Sequence, residues 1–229
     1  MPAIHWLNPI SGSFTNATDW SGGIVPGASD DAILDAAGVS LYTVTASGGG
    51  TIASLQTAGN ATFDVTQGHF YITNGTGGGR NAGTIVVATN ATLTLEGVVE
   101  NTGAIELAGE LYSEEGVLTL TGGGRIDINA GIYGDEPFRI AGFSTVINVD
   151  NTISGAGELG NAFSSYAQNF INESAGTIDG TGQGFSLDFQ TVTNTGLMEA
   201  AAGGGLGFSS TVDNAGGTIL ASNNGVVSL

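Results

Sequence analysis

The chain is expected to fold as an all-β protein, a right-handed parallel β-helix (β-solenoid) with about 20 residues per coil and an N-terminal cap. Three observations predict it. First, a Gly-x-apolar unit recurs at Gly50-Thr51-Ile52, Gly83-Thr84-Ile85, Gly103-Ala104-Ile105, Gly124-Arg125-Ile126, Gly157-Glu158-Leu159, Gly176-Thr177-Ile178, Gly196-Leu197-Met198 and Gly217-Thr218-Ile219; the steps are 33, 20, 21, 33, 19, 20 and 21 residues. Second, an apolar-x-apolar pair follows the glycine at Leu93/Leu95, Leu206/Phe208 and Val227/Leu229, and one place later at Leu187/Phe189. Third, asparagine precedes the glycine at Asn81, Asn101, Asn194 and Asn214, with Val99, Val192 and Val212 two places earlier.

Repeats are read first because they decide the fold. Alternating apolar and polar residues over four or five positions make a strand with one buried face. Three such strands per coil, with Gly and Asn at the corners, make a triangle. Gly and Asn tolerate the positive φ that sharp corners are expected to need. Stacked coils pair each strand with its equivalent about 4.8 Å away. Apolar residues then form columns, and corner asparagines can form a hydrogen-bonded ladder. One coil cannot bury its own apolar face, so stability comes from neighbours. A β-sandwich also has many short strands, but it does not require the same residue classes to return at a fixed interval. No long stretch carries a helical period. Right-handedness is expected because left-handed solenoids keep strict hexapeptides, which this chain lacks.

Residues 1–47 fall outside the repeat and are expected to form a capping segment; residues 48–229 are the β-solenoid repeats. The first segment holds Trp6, Trp20, Pro2, Pro9 and Pro26. A first coil exposes apolar columns and strand edges that large aromatics can cover; an aromatic sugar-binding platform is the other use for these rings. The two longest steps contain His69-Phe70-Tyr71 and Tyr133-Gly-Asp-Glu-Pro-Phe-Arg139. Each is expected as a long coil, a loop excursion, or one complete coil plus a short one, and loops projecting from a rigid solenoid are where binding tends to sit. The chain stops inside an apolar pair, at Val227 and Leu229. It is expected either to continue in a longer repeat protein or to stack head to tail on another copy.

Composition narrows the partners. Glycine is 40 of 229 residues without a collagen period, and 41% apolar residues argue against disorder. There is no lysine, only Arg80, Arg125 and Arg139 against 21 acidic residues, for a net charge of −18. Such a chain repels phosphate backbones and anionic membranes, so no nucleic acid is expected as a partner. Without cysteine there are no disulfides or thiol chemistry. No window reaches the roughly 18 apolar residues of a membrane span, and residues 1–9 do not read as a signal peptide. Export is then expected to use a signal already removed or one beyond the C-terminus.

The segments Asn151-Thr-Ile-Ser-Gly-Ala-Gly-Glu-Leu-Gly160, Ile171-Asn-Glu-Ser-Ala-Gly-Thr-Ile178 and Val192-Thr-Asn-Thr-Gly-Leu-Met-Glu199 resemble repeats of large bacterial adhesin-like and autotransporter-like surface proteins. The opening Trp20-Ser-Gly-Gly-Ile-Val-Pro-Gly-Ala28, with Asp30 and Asp31, is similar to the entry segment preceding such repeats. The resemblance implies a secreted protein on the bacterial cell surface. Its motifs are architectural and speak for fold more than function. Acidic, cysteine-free, glycine-rich chains also resemble type I secretion substrates, but the calcium-binding Gly-Gly-x-Gly-x-Asp nonapeptide is missing.

The inventory for chemistry is thin, and no enzyme activity is expected. Uronate lyases of β-helical fold use a calcium-binding carboxylate cluster and a basic residue; Arg125 and Arg139 near Asp127, Asp135 and Glu136 are the nearest match, read as surface ion pairs. β-Helical glycosidases use a Gly-His-Gly segment, which Gln67-Gly68-His69-Phe70 only approaches. His69 is expected in a loop and His5 as packing in the cap; with only these two histidines, far apart along the chain, a His-based zinc site is excluded. There is no Gly-x-Ser-x-Gly elbow for a nucleophile. No cofactor is expected; calcium is the one ion the carboxylates could serve, with Asp30-Asp31, Glu114-Glu115 and Asp135-Glu136 as adjacent pairs but no assigned ligand. Outward threonines such as Thr92, Thr94 and Thr119 do not recur in every coil, as an ice-ordering face would require. The expected function is a non-catalytic extracellular structural or adhesive module, a rigid stalk or fibre element, with itself or surface glycans as partner. The alternative is a glycan-binding or polysaccharide-cleaving β-helix using the regions of His69 and Tyr133.

Overall fold

A computed structural model describes residues 2–73, 79–113, 115–129, 143–160, 168–182 and 184–229. The chain is an all-β parallel solenoid of about 8 turns with ~22 residues per turn. Helical structure among the described residues is limited to two 3₁₀ turns, Ala17–Asp19 and Ser21–Gly23.

Each coil visits three faces in order. The first face stacks ten strands, from Ala3–His5, Asp31–Leu34 and Ser54–Thr57 through Gly97–Asn101 and Glu115–Thr121 to Thr191–Asn194 and Val212–Asp213. The second face runs from Gly12–Ser13 and Tyr42–Ser47 through Thr84–Val87, Ala104–Leu107 and Arg125–Asn129 to Thr218–Ala221. The third face comes in two blocks. One holds Gly50–Ile52, the end of Ala61–Ile72, Ala91–Leu95 and Glu110–Tyr112; the other holds the end of Thr152–Gly160, Phe185–Asp188, Gly205–Phe208 and Val226–Ser228. Every described strand pair is parallel; the antiparallel bridge Trp6–Trp20 lies outside the strands.

The apolar columns are literal. On the second face Val44, Phe63, Ile85, Ile105, Ile126, Ile153, Ile178, Met198 and Ile219 stand one above another. From Phe63 to Met198 they are 3% exposed or less. This column corrects the phasing of the repeat. Gly50-Thr51-Ile52 and Gly157-Glu158-Leu159 lie on the third face, where Ile52 stacks on Ile72 and Leu159 on Leu187. The two longest steps between glycine triplets therefore joined triplets from different faces. Counted along the column itself, the steps stay near the expected coil length except for two. Those two, Ile126 to Ile153 and Ile153 to Ile178, lengthen the mean coil beyond the expected one. The third-face pair after Gly176 is likewise Phe185/Leu187, in register with Leu206/Phe208, rather than Leu187/Phe189.

Buried amides line the corner between the first and second faces. Thr57 donates to Asn81 Oδ1 at 2.5 Å, Asn81 Nδ2 donates to Asn101 Oδ1 at 2.8 Å, and Asn101 Nδ2 donates to Asn151 Oδ1 at 3.0 Å. Further along, Asn148 donates to Asn172, Asn172 to Asn194 and Asn194 to Asn214, at 2.9, 2.9 and 2.7 Å. The two runs occupy different columns. Val99 lies beside Leu120, and Leu120 beside Asn148, so the ladder steps sideways by one pleat. Asn151 splices the runs: its N–H donates to Asn148 Oδ1 and its carbonyl accepts from Asn148 Nδ2. Burial makes each unmet amide costly, so the ladder resists vertical slip.

The glycines that open the second-face triplets serve a different purpose from the one expected, whereas the expected positive φ is met at the neighbouring Gly122, Gly123 and Gly216 and, between the second and third faces, at Asn223 and Asn224. Gly83, Gly103, Gly124, Gly176, Gly196 and Gly217 do not have positive φ, nor do the ladder asparagines. A Cβ on Gly103 would lie 2.1 Å from the Gly83 carbonyl oxygen, and one on Gly196 2.3 Å from that of Glu173. Close approach of successive coils is what excludes a side chain there.

At the N-terminal end the rings interlock edge to face: Trp6 with Trp20 at 4.9 Å, Phe14 with Trp20 at 5.3 Å, and Phe14 with Phe70 and Phe70 with Phe63 at 5.1 Å each. Trp20 is fully buried and donates its Nε1–H to the Phe14 carbonyl at 2.7 Å. Strands within residues 3–47 pair in parallel with those that follow.

Candidate functional site

With apolar side chains turned inward, alternation along each strand sends its other residues to the three outer faces. On the third face Phe70 and Ile72 point in, as do Leu93, Leu95 and Leu111. His69 and Tyr71, Thr92 and Thr94, and Glu110 and Tyr112 therefore point out. Parallel pairing arranges them as a grid: His69–Thr92–Glu110 in one column and Tyr71–Thr94–Tyr112 in the next.

The grid is internally bonded. The His69 ring stacks on Tyr71 with centroids 4.0 Å apart and planes 18° from parallel. Its Nε2 is 2.7 Å from Thr94 Oγ1, and its centroid is 5.9 Å from that of Tyr112. Thr94 is 2% exposed although it faces outward, while the three rings are half-buried. Thr92 donates to Glu110 Oε2 at 3.0 Å. His69 thus lies within the strand Ala61–Ile72, correcting the loop placement expected for it. Tyr133, the other residue expected to mark a binding region, lies outside the described residues.

The remaining outer faces are electrostatic in character. On the first face a groove of about 260 Å³ is lined by Asp35, Gln56, Arg80, Glu100 and Thr102. Arg80 grips Glu100 through Nε at 2.9 Å and Nη2 at 3.3 Å. His5 also departs from its expected packing role: its Nδ1 sits 3.0 Å from Asp35 Oδ1 with both side chains about half exposed. On the second face Asp64, Glu106, Asp127, Asp179 and Glu199 share one outward column, interrupted by Val86 and Ser154. Beside it run Thr43, Thr62 and Thr84, then Thr152 and Thr177. Desolvation holds the Asp64 and Asp179 carboxyls above the ordinary aspartate value. Arg125 pairs with Glu106 and with Asp127, as its proximity in sequence suggested for the latter. Arg139, Asp135 and Glu136 lie outside the described residues.

Among the described residues no three His, Asp or Glu side chains converge as a metal-binding group. The Asp30–Asp31 pair diverges: Asp30 accepts from the Gly27 N–H and Asp31 from Ser54 Oγ. Glu114 lies outside the described residues. Buried Asp188 Oδ1, Asp179 Oδ1 and Ser210 Oγ make no hydrogen bond, a feature no sequence pattern had flagged. No described helix is long and apolar enough to cross a membrane.

The third-face grid is the site that best combines rigid placement, aromatic surface and hydrogen-bonding groups. Compared with known proteins, the chain matches no family model, no curated protein and no solved structure.

Proposed function

We propose that this chain is a non-catalytic structural and adhesive module of a secreted surface protein, a rigid element that holds binding groups at fixed spacing and can join copies of itself end to end. The observation that carries the reading is the unbroken second-face column from Val44 to Ile219, flanked by a buried amide ladder. In such a stack the inter-coil hydrogen bonds lie along the axis, so axial load falls on the ladder and columns together. About 8 coils at the ~4.8 Å inter-strand spacing give a module ~40 Å long, suited to repetition in a fibre. The acidic, cysteine-free composition favours solubility outside the cell.

The test is mechanical and chemical on one preparation. Pulled from its two ends, the chain should resist in discrete events, each releasing one or more coils of about 70–80 Å contour length. Reducing-sugar assays on plant and microbial polysaccharides should show no turnover. Extension without force-bearing events would remove the structural reading, and turnover would remove the non-catalytic one. Electron micrographs of the same sample show whether copies join end to end.

A further inference from the structure

We infer that the outward grid of His69, Tyr71, Thr92, Glu110 and Tyr112, packed around buried Thr94, is a binding site for neutral glycans. The inference deepens the adhesive reading above by naming its ligand class. A pyranose has an apolar C–H face and a rim of hydroxyls. Its match is an aromatic surface edged by carboxylate, imidazole and hydroxyl groups, which take hydroxyl hydrogen bonds as donors or acceptors.

The third face supplies this on adjacent strands. The Tyr71 and Tyr112 rings flank Thr94 in one column, and Thr92 and Glu110 form a polar column alongside. The His69 imidazole ties the two columns together through Tyr71 and Thr94.

Placement on paired strands fixes the rings before any ligand arrives. Tyr and His carry few rotatable bonds, so little entropy remains to be lost on binding. Charge selects within the class. A chain of net charge −18 with Glu110 in the grid disfavours polyanionic sugars. An uncharged hexose or pentose chain running along or across the strands is the ligand the chemistry fits. The first-face groove is a weaker candidate, because no aromatic ring lines it to meet the apolar face of a sugar.

The whole chain is screened on a glycan array, then titrated calorimetrically with cellohexaose, maltohexaose, xylohexaose and polygalacturonate. At least one neutral oligosaccharide should bind saturably. Tyr71→Ala and Tyr112→Ala should each weaken it about tenfold or more, the usual effect of removing an aromatic anchor. Tyr71→Phe should stay within about threefold of the parent, because the ring face carries the contact. Thr191→Ala, on the first face, should leave binding unchanged. Near-UV circular dichroism checks each variant's fold. If an alanine variant unfolds, saturation transfer from tyrosine ring protons to sugar C–H protons in the parent chain decides instead. The inference is overturned by binding to no neutral glycan, by binding to polygalacturonate alone, or by affinity indifferent to both tyrosines. Pulling experiments read the ladder independently, so either result leaves the mechanical reading where it stood.

Discussion

In the coils built from residues 2–72 a chain of interlocking rings runs through the aliphatic interior, whereas in those built from residues 143–214 a chain of amides lines the corner between the first and second faces, with the Phe170 and Phe189 rings stacked inside. The first region interlocks Trp6, Trp20, Phe14, Phe63 and Phe70 edge to face. The second links Asn148, Asn172, Asn194 and Asn214 donor to acceptor. Rings supply apolar area and shape but specify vertical position loosely, because a ring can meet its neighbour at many offsets. An amide chain is directional: each Nδ2 must find the next Oδ1, and a slipped coil leaves both unmet in a buried corner. The two long second-face steps, Ile126 to Ile153 and Ile153 to Ile178, both fall where the ladder runs through Asn148, Asn151 and Asn172. After the second of these consecutive steps the regular coil resumes, with Ile178 on Met198 and Met198 on Ile219. The amide ladder restores register across irregular coils, and the ring stack fills the interior of the coils that carry Trp6, Phe14 and Trp20.

The largest effect should come from the ring region. Trp20→Ala removes a fully buried side chain from the centre of the stack and should cost about 3–5 kcal/mol. Because a solenoid is nearly one-dimensional in its energetics, hydrogen exchange should show lost protection in residues 2–72 while residues 168–221 keep theirs. Equal loss at both ends would mean that the two regions are one cooperative unit.

Next in size is Asn172→Ala, which strands Asn148 and Asn194 and should cost roughly 2–3 kcal/mol, read as faster exchange in residues 143–214. Asn172→Asp sharpens the point. It sets a buried carboxylate against the Gly176 and Leu197 carbonyls, which raises its folded pKa above the unfolded value. Its penalty should therefore be full at neutral pH and shrink as pH falls toward about 4, the unfolded aspartate value.

A pair of glycine replacements separates close approach from backbone conformation. Gly196→Ala should be the more damaging, because its Cβ meets the Glu173 carbonyl oxygen at 2.3 Å. Gly123 has φ +72° and nothing within 4 Å of a built Cβ, so Gly123→Ala should cost only the left-handed strain of about 1–2 kcal/mol. Thermal midpoints in the reverse order would show that the corners are set by φ after all.

The smallest effect concerns Asp179. Desolvation raises its folded pKa above the ordinary 3.8, so its charge weakens the fold at neutral pH. Asp179→Asn should stabilise the chain at pH 7 by no more than about 0.5 kcal/mol. The gain should disappear as pH falls through the folded pKa to below 3.8, where Asp179 is protonated in both states. Denaturant midpoints at the two pH values check the sign.

Much of the solenoid could be read before any coordinates, because Gly-x-Ile and Leu-x-Leu units recur with the pitch of a coil. Asn81, Asn101, Asn194 and Asn214 announced a ladder. Asn148, Asn151 and Asn172 went unseen because their coils are long and the ladder changes column between Gly122 and Asn148. The candidate site was only half legible. His69 stood out as a rare residue, but Thr94, Glu110 and Tyr112 lie one or two coils further along the chain. Inward Phe70/Ile72, Leu93/Leu95 and Leu111 held the signal that would have grouped them. The likeness of Gly50-Thr51-Ile52 to the second-face triplets concealed it, because Ile52 belongs with Ile72.

Local alternation and repetition determine that short strands form, which side of each is apolar, and that coils must stack, since these depend only on neighbours along the chain. Which face the Gly50–Ile52 and Gly157–Leu159 triplets join, how far a long coil displaces its successor, and which outward groups meet across strands were decided by tertiary packing. Those outcomes depend on buried amides and carbonyls finding partners between coils, and that pairing energy exists only once the coils have closed on one another.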